Sequence, residues 1–274
     1  MSSVVKALQV NHVNFVDADF DQCVSHFKDV YGAEYLMNVP GEDARACLFQ
    51  IGRVIFELFT PRMWLLTSRY GPHYLGIEFQ VADMAVARAA LAERDIRIAR
   101  DIEVAVHCHP ADCYGVSLEF WANEFHTMEY ELLGGKQMQS AAYWSDEHPL
   151  GLTGLKGVTW AVHDMVGARA FLESLFGAKQ VYETIRPQLA ARAIGLQIAD
   201  TVVELLSPTG PGELTAHLAR HGDGIRSTVF AAHSVAKVRD YLAARDVPLV
   251  PGTADGTIAV PADANSGIMF EFSE

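Results

Sequence analysis

The sequence predicts an α+β fold in which a strand–helix–three-strand module is written four times, two modules to each half of the chain. Three observations carry this. "NHVNFVDADFDQCVSHFKDVYGAE" near the start matches "KGVTWAVHDMVGARAFLESLFGAK" in the middle, so that Asp164 and Gly177 follow Asp19 and Gly32 by 145 positions. "VIFELFTP" matches "TVVELLSP" with Glu57 over Glu204 at an offset of 147, and "HPADCYGVSLEF" matches "VPADANSGIMFEF" with Glu119 over Glu271 at 152. Each half also carries two segments of helical spacing, each with one strand-like run before it and about three after it. The offset grows only between strand-like blocks, which places the insertions in loops.

Taken in order, the first strand alternates through "NHVNF". After Asp19, Phe20, Val24, Phe27 and Tyr31 recur at helical spacing, and Gly32 supplies the stop. "VIFELFTP" and "YLGIEFQV" read as strands, and a second helix starts at Asp83 in "DMAVARAALAERDI". "GVSLEFW" is the last strand of this half. The stretch that follows is weakly periodic and contains glycines, so residues 126–153 read as a connector, although Tyr130, Tyr143 and Trp144 suggest that part of it packs on a domain. The plan then restarts. Asp164 begins a helix through Ala168, Phe171, Leu172 and Leu175 that stops at Gly177, and Ser234 begins the fourth helix, "SVAKVRDYLAARDV".

Half of the residues are hydrophobic and a fifth are charged, as in an ordinary soluble protein with a substantial core. A net charge of −13 argues against nucleic acid or an anionic membrane as partner, because both demand clustered Lys and Arg. No basic, then apolar leader opens the chain, and no apolar run approaches the roughly 18 residues of a membrane span. The cytoplasm is the expected location. Cys23, Cys47, Cys108 and Cys113 form no CxxC pair and read as reduced thiols packed as small hydrophobes.

Strand alternation gives the chemistry. His12 shares a face with Asn14, Glu57 with Ile55 and Phe59, Glu78 with Gly76 and Gln80, and Glu119 with Ser117 and Trp121. If these strands line one curved sheet, His12, Glu57, Glu78 and Glu119 converge in its concavity. A buried carboxylate is costly unless it is paired or bound to a cation, so a central Glu in an apolar strand is a signal. His73, His107 and His109 are further candidates, with His109-Pro110 read as a structural strand ending. Phe15, Phe56, Phe59, Trp64 and Trp121 would suit a cavity for a hydrophobic or aromatic small molecule, or simply a core.

The fourfold βαβββ plan, carried by "NHVNFVDADFDQCVSHFKDVYGAE", "VIFELFTP" and "HPADCYGVSLEF", resembles the vicinal oxygen chelate superfamily, which includes glyoxalase I, methylmalonyl-CoA epimerase and the extradiol dioxygenases. The last phrase is closest to the epimerases, and the two-copy length with the restart "HPLGLTGLKGVTWAVHD" is closer to the dioxygenases. The resemblance covers nearly the whole chain except the connector. It implies two tandem glyoxalase-like domains, residues 1–125 and 154–274, each with a curved, cup-shaped mixed sheet. It further implies a divalent metal (Zn, Mn, Co, Ni or Fe) held by His12, Glu57 and Glu119 in the first domain. Glu57 or Glu78 would act as the catalytic acid–base. The family's fourth ligand position, in the fifth strand, falls on Gly76, with Glu78 two positions along on the same face as a replacement. The corresponding positions in the second domain are Gly157, Glu204, Ser227 and Glu271, an incomplete set. An extradiol enzyme needs two His and one carboxylate, normally in its second domain, so these departures weigh against ring cleavage. The implied function is a metal-dependent isomerase, epimerase or lyase acting on a small oxygen-chelating substrate, in a homodimer. A ring-cleaving dioxygenase with altered ligands and a metal-free small-molecule binding protein are the alternatives.

Overall fold

A computed structural model describes residues 3–40, 44–61 and 71–274. The first module runs β1 (Ala7–Val16), α1 (Phe20–Tyr31), β2 (Glu34–Val39), β3 (Ala44–Ile51) and β4 (Val54–Pro61). The second runs β5 (His73–Val81), α2 (Met84–Ala92), β6 (Ile98–Asp101), β7 (Ala105–Cys108) and β8 (Ser117–Trp121). The third runs β9 (Leu152–Ala161), α3 (Met165–Phe176), β10 (Lys179–Arg186), β11 (Ala191–Ile198) and β12 (Thr201–Pro208). An additional helix, α4 (Glu213–His221), precedes the fourth module of β13 (Gly224–Ala232), α5 (Val235–Ala243), β14 (Val250–Pro251), β15 (Ile258–Val260) and β16 (Met269–Ser273).

The helix boundaries follow from local chemistry. Asp19, Asp83, Asp164 and Ser234 each accept a backbone N–H of the first turn, satisfying a donor that the helix itself cannot. Gly32 and Gly177 end α1 and α3 at φ of 68° and 64°, a left-handed conformation that a side chain would strain. In α1 the buried stripe is Phe20, Cys23, Phe27 and Tyr31.

The strands form two mixed eight-stranded sheets, ordered β2-β3-β4-β1-β5-β8-β7-β6 and β10-β11-β12-β9-β13-β16-β15-β14. The sheets repeat one register. Asn14 pairs Glu57 across parallel strands β1 and β4, and Thr159 pairs Glu204 across β9 and β12. Residue 157 therefore stands where residue 12 stands in the first sheet.

By contact the chain divides into two units. One comprises Met1–Asn11, Leu75–Phe125 and Gly157–Arg226. Its core includes Phe79 and Phe120 against Phe176, with ring centroids 5.1 and 5.8 Å apart, and the buried indole of Trp160 donates to the Tyr114 carbonyl at 2.8 Å. The other comprises His12–Tyr74, His126–Lys156 and Ser227–Glu274. Its core is aromatic: Phe15, Phe27, Phe49 and Phe56 pack together, and Phe56 meets Phe270 at 5.1 Å. Phe15 and Phe56 are thus core residues on the strand face opposite His12 and Glu57. Trp64 lies outside the described residues. Tyr130 and Trp144 from the connector are fully buried, so this segment packs as its aromatics suggested.

Candidate metal centre

His12, Glu78 and Glu119 sit on β1, β5 and β8, three successive strands of the first sheet. Each offers a ligand atom, and these atoms all lie within 4.8 Å of one another. Among the described residues this is the one group of three or more His, Cys, Asp or Glu so arranged. The three residues are 1%, 3% and 1% exposed. Glu78 and Glu119 are direct partners across parallel strands. Two carboxylates placed opposite each other repel, and burial removes the water that would screen them, so the pair calls for a cation or a proton.

Backbone geometry decides which residue of β5 can contribute. The position that the alignment puts at the fifth strand is Gly76, where an added Cβ would meet the Ser117 carbonyl at 2.1 Å. No side chain fits there because β5 and β8 approach too closely. Glu78, two residues along on the same face, is the β5 residue whose carboxylate lies within 4.8 Å of the other two ligand atoms.

Further polar residues surround the three. Glu57, on β4, is 7% exposed, and its Oε2 lies 3.0 Å from His12 Nε2. The His107 Nδ1 on β7 is 2.9 Å from Glu119 Oε1, and the two residues are register partners. Asn11 donates to Glu78 Oε1 at 2.9 Å. Of the sequence candidates, the structure therefore brings His12, Glu57, Glu78, Glu119 and His107 to one region. It does not bring His73 or His109 there. His73 Nδ1 sits 2.9 Å from the Gly71 carbonyl. His109 accepts from Ala111 N at 3.2 Å and caps the short turn Pro110–Asp112. In that turn Arg97 grips Asp112 through its backbone N–H, Nε and Nη2, which holds the Asp112 carboxyl down to about 2. The phrase "HPAD" is a turn lock.

The second sheet has lost the arrangement. Gly157 replaces His12, and a Cβ there would meet the Val202 carbonyl at 2.4 Å. The register places Val229 opposite Glu271, where Glu78 stands opposite Glu119. The two retained carboxylates are occupied by protein. Glu204 accepts from Arg186 Nε at 3.2 Å and Nη2 at 2.7 Å, and from the Tyr182 hydroxyl. Glu271 accepts from Ser227 Oγ at 2.5 Å and from the backbone and hydroxyl of Thr253 at 2.5 and 2.7 Å. Sequence reasoning missed Arg186 and Tyr182, because they reach Glu204 from the edge strand across β11. Gly195 is the signal that could have shown it: a Cβ at this position would meet the Tyr182 ring at 2.3 Å.

The four cysteines are free and buried, and burial pushes the Cys23 and Cys47 thiols up, away from reactivity. Among the described residues no helix is long and apolar enough to cross a membrane.

No protein-family profile matches the sequence, and no curated protein matches it. Solved structures do. A triple mutant of 4-hydroxymandelate synthase from Streptomyces coelicolor superposes with a TM-score of 0.73 at 15% identity, over 97% of this chain and 92% of the synthase. A mutant of homoprotocatechuate 2,3-dioxygenase from Brevibacterium fuscum gives 0.65 at 12% identity, over 99% of this chain and 72% of the dioxygenase. At such identities the likeness is one of fold, and it extends through all four modules.

Proposed function

From the vicinal oxygen chelate fold that the chain shares with these enzymes, we propose that it is a divalent-metal-dependent enzyme acting on a small molecule that offers two oxygens to the ion. The single observation that carries this is the buried group His12, Glu78 and Glu119. One imidazole and two carboxylates form a borderline-to-hard donor set that suits Mn, Fe, Co, Ni or Zn. They also bring two negative charges to a place where a dication compensates for burial.

When bound, the ion would supply Lewis acidity to a carbonyl or enolate oxygen of the substrate. The chain's own residues do the rest. His12, Glu78 and Glu119 hold the ion, and the apolar strands around them exclude water. Glu57, on the same face as His12, is assigned the proton transfer as general base, through a carboxylate that the group of three leaves outside. That pairing serves isomerase, epimerase or lyase chemistry. Ring cleavage of the extradiol kind fits the donor set less well, since it calls for two imidazoles and one carboxylate.

Metal analysis of the purified protein, combined with Glu57→Gln and Glu78→Gln, tests the reading. Glu78→Gln is expected to lose the ion, whereas Glu57→Gln keeps it and loses turnover. No metal bound after supplementation with Fe, Mn, Co, Ni and Zn would leave the chain a metal-free binding protein. Ring-opened products from a panel of catechols, after anaerobic Fe(II) loading and exposure to oxygen, would make it a dioxygenase.

A further inference from the structure

We infer that Asn11 and His107 are positioning residues, which fix the rotamers of the two glutamates in the metal centre and thereby set its affinity. The inference rests on the reading of His12, Glu78 and Glu119 as that centre.

A free glutamate side chain samples many rotamers, and a metal site built from glutamates must freeze them on binding unless neighbours have already done so. Asn11 is placed to do this for Glu78. It is 1% exposed, and its amide is fully used. The nitrogen donates to Glu78 Oε1 at 2.9 Å and to the Asn123 carbonyl at 3.0 Å, while the oxygen accepts from Phe125 N at 3.2 Å. This network assigns the amide orientation, so that Glu78 always faces a donor. Asn123 and Phe125 follow directly after β8, the strand of Glu119, so Asn11 also ties the exit of that strand to Glu78.

His107 does the corresponding work for Glu119. It stands opposite Glu119 on β7, with its Nδ1 2.9 Å from Oε1. Its side chain is 13% exposed against 2% for Glu119, which puts it on the outer side of the pair.

The second sheet supplies an internal control. By register, residue 156 corresponds to Asn11, and Ala259, opposite Glu271, corresponds to His107. Residue 156 is Lys, which turns to Ser273 Oγ at 2.7 Å. Thus the copy that lost His12 and Glu78 also lacks both supporting residues. They occur only where there are ligands to support.

The test is a Co(II) titration followed by the visible d–d absorption, with a competing chelator to set the scale, on wild type, Asn11→Ala, His107→Ala and His107→Asn. Loss of either partner is expected to weaken Co(II) roughly 10–100-fold and to alter the d–d band. Asn11→Ala also strips the Phe125 N–H and the Asn123 carbonyl of their partner, so its melting temperature falls and its affinity is read below that temperature, on the folded protein. His107→Asn keeps an amide nitrogen in the place of Nδ1 and is expected to recover affinity to within about threefold of wild type. Should His107→Ala fail to fold, His107→Gln, whose nitrogen lies beyond the Nδ1 position, is read in its place and should show the same weakening. Variants that bind Co(II) as tightly as wild type, or His107→Asn as weak as His107→Ala, would overturn the inference alone. A wild type that binds no Co(II), Mn(II) or Zn(II) would overturn the metal centre and this inference with it.

Discussion

Replacing Arg186 with Met removes the cation that the second sheet provides for Glu204. The guanidinium donates twice, from Nε to Oε1 at 3.2 Å and from Nη2 to Oε2 at 2.7 Å. Breaking a fully buried ion pair by removing one partner costs about 3–5 kcal/mol, mostly because a charge stays behind without compensation. Here the side chains keep 16% and 9% exposure, so water returns part of the loss, and the Tyr182 hydroxyl still donates to Glu204. The expected cost is about 2–3 kcal/mol, or a fall in melting temperature of about 4–9 °C for a chain of this size. Urea unfolding of Arg186→Met, Glu204→Gln and the double variant reads it. The double variant should recover much of the loss, because it removes the charge as well as its partner. A single-variant cost below about 0.5 kcal/mol, or a double variant as poor as the sum of the singles, would refute the view that Arg186 compensates a buried carboxylate.

Further outcomes follow from the same geometry. Gly195→Ala places a methyl 2.3 Å from the Tyr182 ring and should push it off Glu204, destabilising by about 1–3 kcal/mol in urea unfolding; a neutral change would show that the ring has room to move. His148, packed against Trp144 and Tyr241, is held down to about 4, first by burial and then by Arg245. Its folded value lies below its unfolded one, so its contribution is complete above about pH 6.5 and is lost as pH falls towards 4. The loss at pH 5 should be about 2 kcal/mol relative to pH 7, and His148→Gln should flatten that part of the profile. An unchanged slope in the variant would assign the acid sensitivity to other groups.

Much of this architecture was legible because the chain repeats its instructions. The caps at Asp19, Asp83, Asp164 and Ser234 and the stops at Gly32 and Gly177 are local devices, and each acts where its residue type suggests. The loss of His12 in the second copy was visible as Gly157, and the register of Thr159 with Glu204 places the two at equivalent points. Other features depended on tertiary geometry. That Glu78 groups with His12 and Glu119 within 4.8 Å depends on the order of β1, β5 and β8 in the sheet, which alternation along one strand does not encode. Phe15 and Phe56 were separable from the site residues by parity alone, and the structure puts them in the aromatic core. Helix α4 belongs to no module, so the repeat offered no sign of it.

The most direct test of the account is metal stoichiometry, measured by elemental analysis on the wild type, His12→Ala and Glu271→Ala after loading and desalting. One divalent ion per chain is expected in wild type and in Glu271→Ala, and none in His12→Ala. An ion that survives His12→Ala, or is lost with Glu271→Ala, would place the centre in the other sheet and contradict it.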